Sequence, residues 1–329
     1  MKIALFYFSG TGNTKLVSKK WQDVAKMNSI EFDIFPIEKI EEQDFNFVGY
    51  DKIGIAYPIH GFNAPKIILD FAKKIKKQES EISLFIIMVS GEYMVINNSS
   101  DLKLLSILKK KNFKVESEYH YIMPYNMIFR HTEERAYKMY VTMNALVELD
   151  VKEYFCEGRP HSLKKHWFAR PIIWLIRIEQ VFAPINGKHF KVKADRCVKC
   201  MKCVNSCPKN NIEFKDGKFT FKNKCILCTR CSFNCPTDAF KIGLLNNWRV
   251  NGPYKFKENA APNEIDKHPR YCKKSYIKYY KEAEERLKNN WVPQLYRLKE
   301  WRKSIVCSFY YLMNYIWSFT FLCSISFMF

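Results

Sequence analysis

Several common signatures are missing from this 329-residue chain. It has no G-x4-G-K-[ST] run, which disfavours a loop built for a nucleoside triphosphate. It has no complete G-x-G-x-x-G fingerprint either, and so no sign of direct nicotinamide chemistry. Helix-turn-helix, zinc-finger and aromatic RNA-binding patterns are all absent, so the formal charge of +21 does not point to nucleic acid. The apolar run Lys2–Phe8 is too short for an export signal and lacks a small-residue cleavage site. No convincing pair of catalytic acid and base stands out. What the chain does have is cysteine.

Eight of its twelve cysteines fall into two copies of one pattern, C-x2-C-x2-C-x3-C-P. The first is Cys197, Cys200, Cys203, Cys207 and Pro208. The second is Cys225, Cys228, Cys231, Cys235 and Pro236. A four-iron cube needs four soft thiolates. A tight loop with spacings of two supplies three, and in two-cluster proteins the fourth crosses to the other cube. Cys197, Cys200, Cys203 and Cys235 are therefore expected to hold cluster I, and Cys225, Cys228, Cys231 and Cys207 cluster II. Zinc prefers two separated ligand pairs, and disulfides need an oxidising compartment that nothing here indicates. Cys156, Cys272, Cys307 and Cys323 share no spacing and read as ordinary buried or tail thiols.

Charge is uneven. Residues 1–159 carry 22 Lys and Arg against 21 Asp and Glu, whereas residues 160–329 carry 32 against 12. Two oxidised cubes would offset roughly four of the positive charges. The surplus suits an acidic protein partner or anionic lipid.

The apolar run at residues 2–8 reads as a buried first strand. It leads into Ser9-Gly10-Thr11-Gly12-Asn13-Thr14, and then a helix. Hydroxyls, an amide and backbone N–H groups at a helix start can surround a phosphate. Lys15 stands where a dinucleotide loop would place its third glycine, so a monophosphate fits better. The stretch resembles the FMN phosphate loop of flavodoxins.

Strands are expected at 31–35, 52–57, 82–89 and 113–121, with helices between them and a closing helix at 132–155. That alternation predicts an α/β fold, a flavodoxin-like doubly wound five-stranded parallel sheet. Ligands of such sheets sit beyond the strand carboxyl ends. The loops there offer Tyr57, His60, Gly61, Phe62, Gly91 and Tyr93 around a flavin ring. A lone aromatic on a loop is more often a packing residue than a flavin wall. His60 either tunes the flavin or is an ordinary loop histidine. His120, Pro124 and Asn126 are candidates for the pocket border.

Together the phosphate loop, the Tyr57–Pro65 segment and both cysteine runs resemble the family of flavodoxin–ferredoxin fusions over about residues 1–250. That resemblance implies FMN and two 4Fe–4S clusters. The expected organisation is a flavodoxin-like FMN-binding domain at 1–155 and a linker with an amphipathic helix at 156–190. A small α+β two-cluster ferredoxin domain at 191–250 and a basic loop and helical extension at 251–303 follow, with residues 251–275 read as a wrapped loop. A hydrophobic tail occupies 304–329. Residues 305–329 carry no charge and follow Lys299, Arg302 and Lys303, which reads as an anchor on the cytoplasmic face of a membrane.

The leading functional expectation is an electron-transfer protein linking the clusters to FMN, with an acidic redox partner. The alternatives are an FMN-dependent reductase of a small acceptor fed by the clusters, and a non-enzymatic redox sensor or membrane adaptor.

Overall fold

The structure, a computed structural model, describes residues 1–40, 47–257 and 270–289. The chain forms two compact units, Met1–Ala283 and Glu284–Phe329.

Five strands form one parallel sheet: β1 (Lys2–Tyr7), β2 (Glu31–Pro36), β3 (Lys52–Pro58), β4 (Ile82–Ser90) and β5 (Phe113–Ile122). Their order is β2-β1-β3-β4-β5, the flavodoxin-like arrangement, with its switch point between β1 and β3. The expected sheet is thus the observed one, and strand bounds differ from the expectation by a residue or two. Continuous apolar runs explain the pattern. Ile3 to Phe6 and Leu84 to Val89 are buried without alternation, as strands covered on both faces must be.

Four helices cover the faces: α1 (Asn13–Met27), α2 (Lys66–Lys74), α3 (Leu102–Lys109) and α4 (Glu133–Val151). Helix α1 packs beside α4, and α2 beside α3. On α1, Val17, Trp21, Val24 and Ala25 make one buried stripe at helical spacing. Trp21 stacks on Phe85 with ring centroids 5.5 Å apart, and its indole N–H donates to the Tyr121 hydroxyl at 3.2 Å. The start of α4 is capped by Thr132, whose hydroxyl accepts the Arg135 N–H, with Glu133 and Glu134 in the first turn.

The segment expected as a linker with one helix is more ordered than that. It folds as α5 (Ala169–Ile176) and α6 (Ile178–Lys188), joined at Arg177. Beyond it come β6 (Phe190–Val192), α7 (Lys202–Asn205), β7 (Ile212–Lys215), β8 (Lys218–Phe221), α8 (Arg230–Phe233) and β9 (Phe240–Ile242). Strand β6 pairs antiparallel with β9, and β7 with β8. The wrapped loop expected over 251–275 ends earlier, because α9 (Arg270–Asn289) begins at residue 270. Among the described residues no helix is long and apolar enough to cross a membrane. The expected anchor at 305–329 lies outside the described residues.

Candidate functional site

The cysteine region is a repeat in structure as well as sequence. Every feature of its first half recurs at one constant offset. Lys199 and Met201 adopt left-handed backbone, as do Leu227 and Thr229; Asn210 does, as does Asp238. The short helix α7 corresponds to α8. Around these bends, backbone N–H groups face sulfur. The Asn211 N–H donates to Cys207 Sγ at 3.3 Å, and the Ala239 N–H to Cys235 Sγ at the same distance.

A small cavity is lined by Cys207, Cys225, Cys228 and Cys231. Cys197 and Cys200 are the thiols that neighbour Cys203. Among the described residues no three His, Cys, Asp or Glu side chains converge closely enough to share one ion. A four-iron cube instead holds its thiolates apart, at its corners.

Burial pushes the Cys225 thiol up to about 11 and Cys228 up to about 12, and raises Cys231 well above the ordinary thiol range. The nearby thiols add to the upward shift. Such groups give up their protons only to a bound metal charge. The soft donor set and the backbone N–H groups facing sulfur both suit 4Fe–4S clusters.

A second, larger cavity of about 970 Å³ opens at the carboxyl ends of the sheet strands. Its lining comes from the loops after β1, β3, β4 and β5, so it sits at the switch point. Ser9, Gly10, Thr11, Asn13 and Thr14 form one end. Gly12 is the left-handed N-cap of α1, and its N–H donates to Ser9 Oγ at 3.1 Å. Asn13 Nδ2 donates to the Pro124 carbonyl at 2.8 Å, and Asn126 Nδ2 donates to Thr11 Oγ1. The buried Thr14 hydroxyl and the Asn126 Oδ1 have no hydrogen-bond partner. An orphaned hydroxyl at the start of a 15-residue helix with no acid in its first turn fits a phosphate group.

The ring-contact candidates separate. His60, Gly61, Phe62 and Gly91 line the cavity. Gly61 and Phe62 both have positive φ, forming a tight turn closed by the His60–Asn63 backbone pair at 2.9 and 3.0 Å. A phenylalanine at φ 57° is costly, so surrounding packing holds it there. Burial lowers the His60 pKa to about 4, which keeps the ring neutral near pH 7.

Tyr57 and Tyr93 are not in the lining. Tyr57 is fully buried in the core, 3.3 Å from Ser100 Oγ. Alternation along β3 turns it away from the loops. Tyr93 donates to Glu282 and lies against Tyr279 on α9. Of the border candidates, Pro124 and Asn126 line the cavity. His120 instead serves the frame, with Nδ1 3.0 Å from Asn98 Oδ1 and Nε2 2.7 Å from Ser90 Oγ.

Residues the sequence did not single out complete the cavity. Leu175, Ile178, Glu179 and Phe182 come from α5 and α6, and Trp248 from the turn after β9. Leu227 and Thr229 flank Cys228, already expected as a metal ligand, and all three line the cavity. Gly10 packs directly on this stretch: a Cβ there would lie 2.6 Å from the Cys228 carbonyl oxygen. Gly187 of α6 approaches from the other side, where a Cβ would lie 2.3 Å from Cys225 Cβ.

Arg230 fastens the junction. Its guanidinium donates to the Gly10 carbonyl at 3.1 Å and the Ser9 carbonyl at 2.7 Å. It also donates to the Ser206 carbonyl at 2.9 Å and to Glu38 Oε1 at 2.6 Å. Only its place beside Cys228 and Cys231 marked it in the sequence. Three of its four partners are some two hundred residues away along the chain.

Residues 196–239 match the 4Fe-4S dicluster domain family. Solved structures also resemble the chain. The flavodoxin of Streptococcus pneumonia TIGR4 is 14% identical over 48% of this chain and 99% of its own, with a TM-score of 0.35. Flavodoxin 1 from Bacillus cereus is 16% identical over 38% of this chain and 86% of its own, with a TM-score of 0.32. General stress protein 14 from Treponema denticola, solved in complex with FMN, is 14% identical over 48% of this chain and 97% of its own, with a TM-score of 0.32. No curated protein matches the chain. The sheet order and the dicluster match define the class: a flavodoxin-like domain joined to a 4Fe–4S dicluster ferredoxin domain.

Proposed function

We propose that this protein carries electrons between two 4Fe–4S clusters and an FMN held in the large cavity. One observation carries this reading. Cys228, a cluster II ligand in the proposed assignment, lies against Gly10 of the phosphate loop and lines the same cavity. FMN accepts one or two electrons, so it would join the one-electron clusters to two-electron chemistry. The chain's own residues bind and orient. Ser9 to Thr14 would hold the phosphate, with Thr14 supplying its free hydroxyl. Phe62, Ile178 and Trp248 wall the cavity. Arg230 fixes the spacing between loop and cluster. Cluster I, beside exposed Cys200 with Arg196, Lys199 and Lys202, is the end suited to an acidic redox partner. The uncharged run 305–329 would hold the protein at the cytoplasmic face of a membrane.

The test is a cofactor count on full-length protein purified without oxygen. About one FMN with roughly eight iron and eight sulfide per chain is expected. Iron and sulfide with no flavin, even after FMN is added, would overturn the flavin half.

A second reading, reduction of a small acceptor at the flavin, is favoured by the cavity's size and its apolar wall. Its 970 Å³ stands at the top of the usual range for ligand pockets, about 300–1,000 Å³. Saturable turnover of a quinone or nitro compound by the reduced protein alone would select it.

A further inference from the structure

We propose that the outer face of α5 and α6 docks on an anionic lipid surface. An ordinary surface helix turns polar residues to water. These two turn out apolar ones. Trp174 is 73% exposed, Ile178 70%, Val181 67% and Ile185 52%. Their spacing of four, three and four residues keeps them on one stripe, which Trp167, 86% exposed, extends toward the amino end. The opposite face is spent on the protein. Ala169, Ile173, Ala183, Asn186 and Gly187 are buried, and Gln180 donates to the Ala64 carbonyl at 2.9 Å. Among the described residues, then, nothing covers the stripe.

Charge says what covers it. Lys164, Arg170 and Lys188 are exposed along the same segment. The one acid of the two helices, Glu179, turns inward against Gly61. A second copy of the stripe would bring like charges together, whereas anionic headgroups would neutralise them. Tryptophan with aliphatic residues and flanking cations is the composition that settles at the boundary of headgroup and acyl chain. Leu175 and Ile178 also line the large cavity, so a docked protein would present its cavity mouth to the lipid. This contact is separate from the uncharged run at 305–329 and does not depend on flavin being bound.

Peptide-resolved hydrogen exchange on the full chain, with its cofactors as isolated, tests it. Vesicles of phosphatidylcholine mixed with phosphatidylglycerol should slow exchange across 167–188, and vesicles of phosphatidylcholine alone should not. Added salt should erase the effect. The double variant Trp174→Glu, Val181→Glu changes exposed residues outside the cavity lining, so iron content and circular dichroism should stay unchanged. Its vesicle affinity should fall about tenfold or more, the worth of one buried large side chain. Equal protection by uncharged vesicles would overturn the proposal. So would vesicle binding that leaves 167–188 unprotected, since the contact would then lie elsewhere. Protection gained on concentrating the protein without lipid would assign the stripe to a second copy instead.

Discussion

In the sheet domain, one core cluster alone runs from Ala4 through Phe6, Ile55, Phe71, Ile86 and Leu104 to Phe113, and aromatic stacks such as Trp21–Phe85 extend the packing. In the cysteine domain the buried apolar set is Ala183, Phe190, Ile212, Leu227, Phe240 and Ile242, with four of the cluster thiols packed against it. Its strands are three or four residues long, against six to ten in the sheet. A domain with so little apolar surface to bury does not pay its ordering entropy from packing alone. The first region is stabilised by its own side chains. The second would take metal–sulfur bonds as part of its interior. Between them lies a junction that belongs to both.

Removing the clusters should break the comparison open most widely. After anaerobic chelation, amides of 190–242 should exchange freely while β1 to β5 stay protected. Loss of both together would mean the regions share one cooperative fold. The ligand sets sharpen this: Cys207→Ser should damage the same cluster as Cys225→Ser in cluster-resolved electron paramagnetic resonance, and not the cluster held by Cys197.

Trp21→Ala attacks the other side. It should cost the sheet domain about 3–5 kcal/mol in urea unfolding while iron content is unchanged. Arg230→Ala tests the junction. Losing its charged hydrogen bonds should cost about 2–3 kcal/mol and weaken FMN binding more than tenfold, with Arg230→Lys in between.

The smallest effect is on pH. Burial lowers His60 to about 4 and His120 to about 3. Between those values and about 6.5 the unfolded chain binds protons that the folded one refuses, so stability should fall as pH drops below 6.5. The urea midpoint of the sheet domain followed against pH checks this, and His120→Asn should flatten the slope.

Local pattern was legible and distant contact was not. The cysteine runs and the sheet alternation are short-range, set by cluster geometry and by strand and helix periods, so residues 197–235 and all five strands could be read directly. So could the Ser9–Thr14 loop, because a glycine-rich strand-to-helix turn declares its shape. Tyr57 misled because position at the end of a strand does not say which way the last side chains point; one residue of alternation separates the core from the cavity. Gly10 against Cys228, Arg230 clasping Ser9 and Gly10, and α5 and α6 closing the wall all depend on tertiary packing. The bare order of residues carries no mark of it.

The contact between Gly10 and the Cys228 carbonyl also imposes an order of assembly. The cavity at the carboxyl ends of the strands takes one wall from the loop of residues 225–231, a bend that bound metal would hold. A newly made chain would thus complete its metal centre before it could grip an organic cofactor firmly. Oxygen damage would run the sequence backwards, loosening the cofactor as the cluster is lost. Cells short of iron would then accumulate this protein folded in its first half and empty in both.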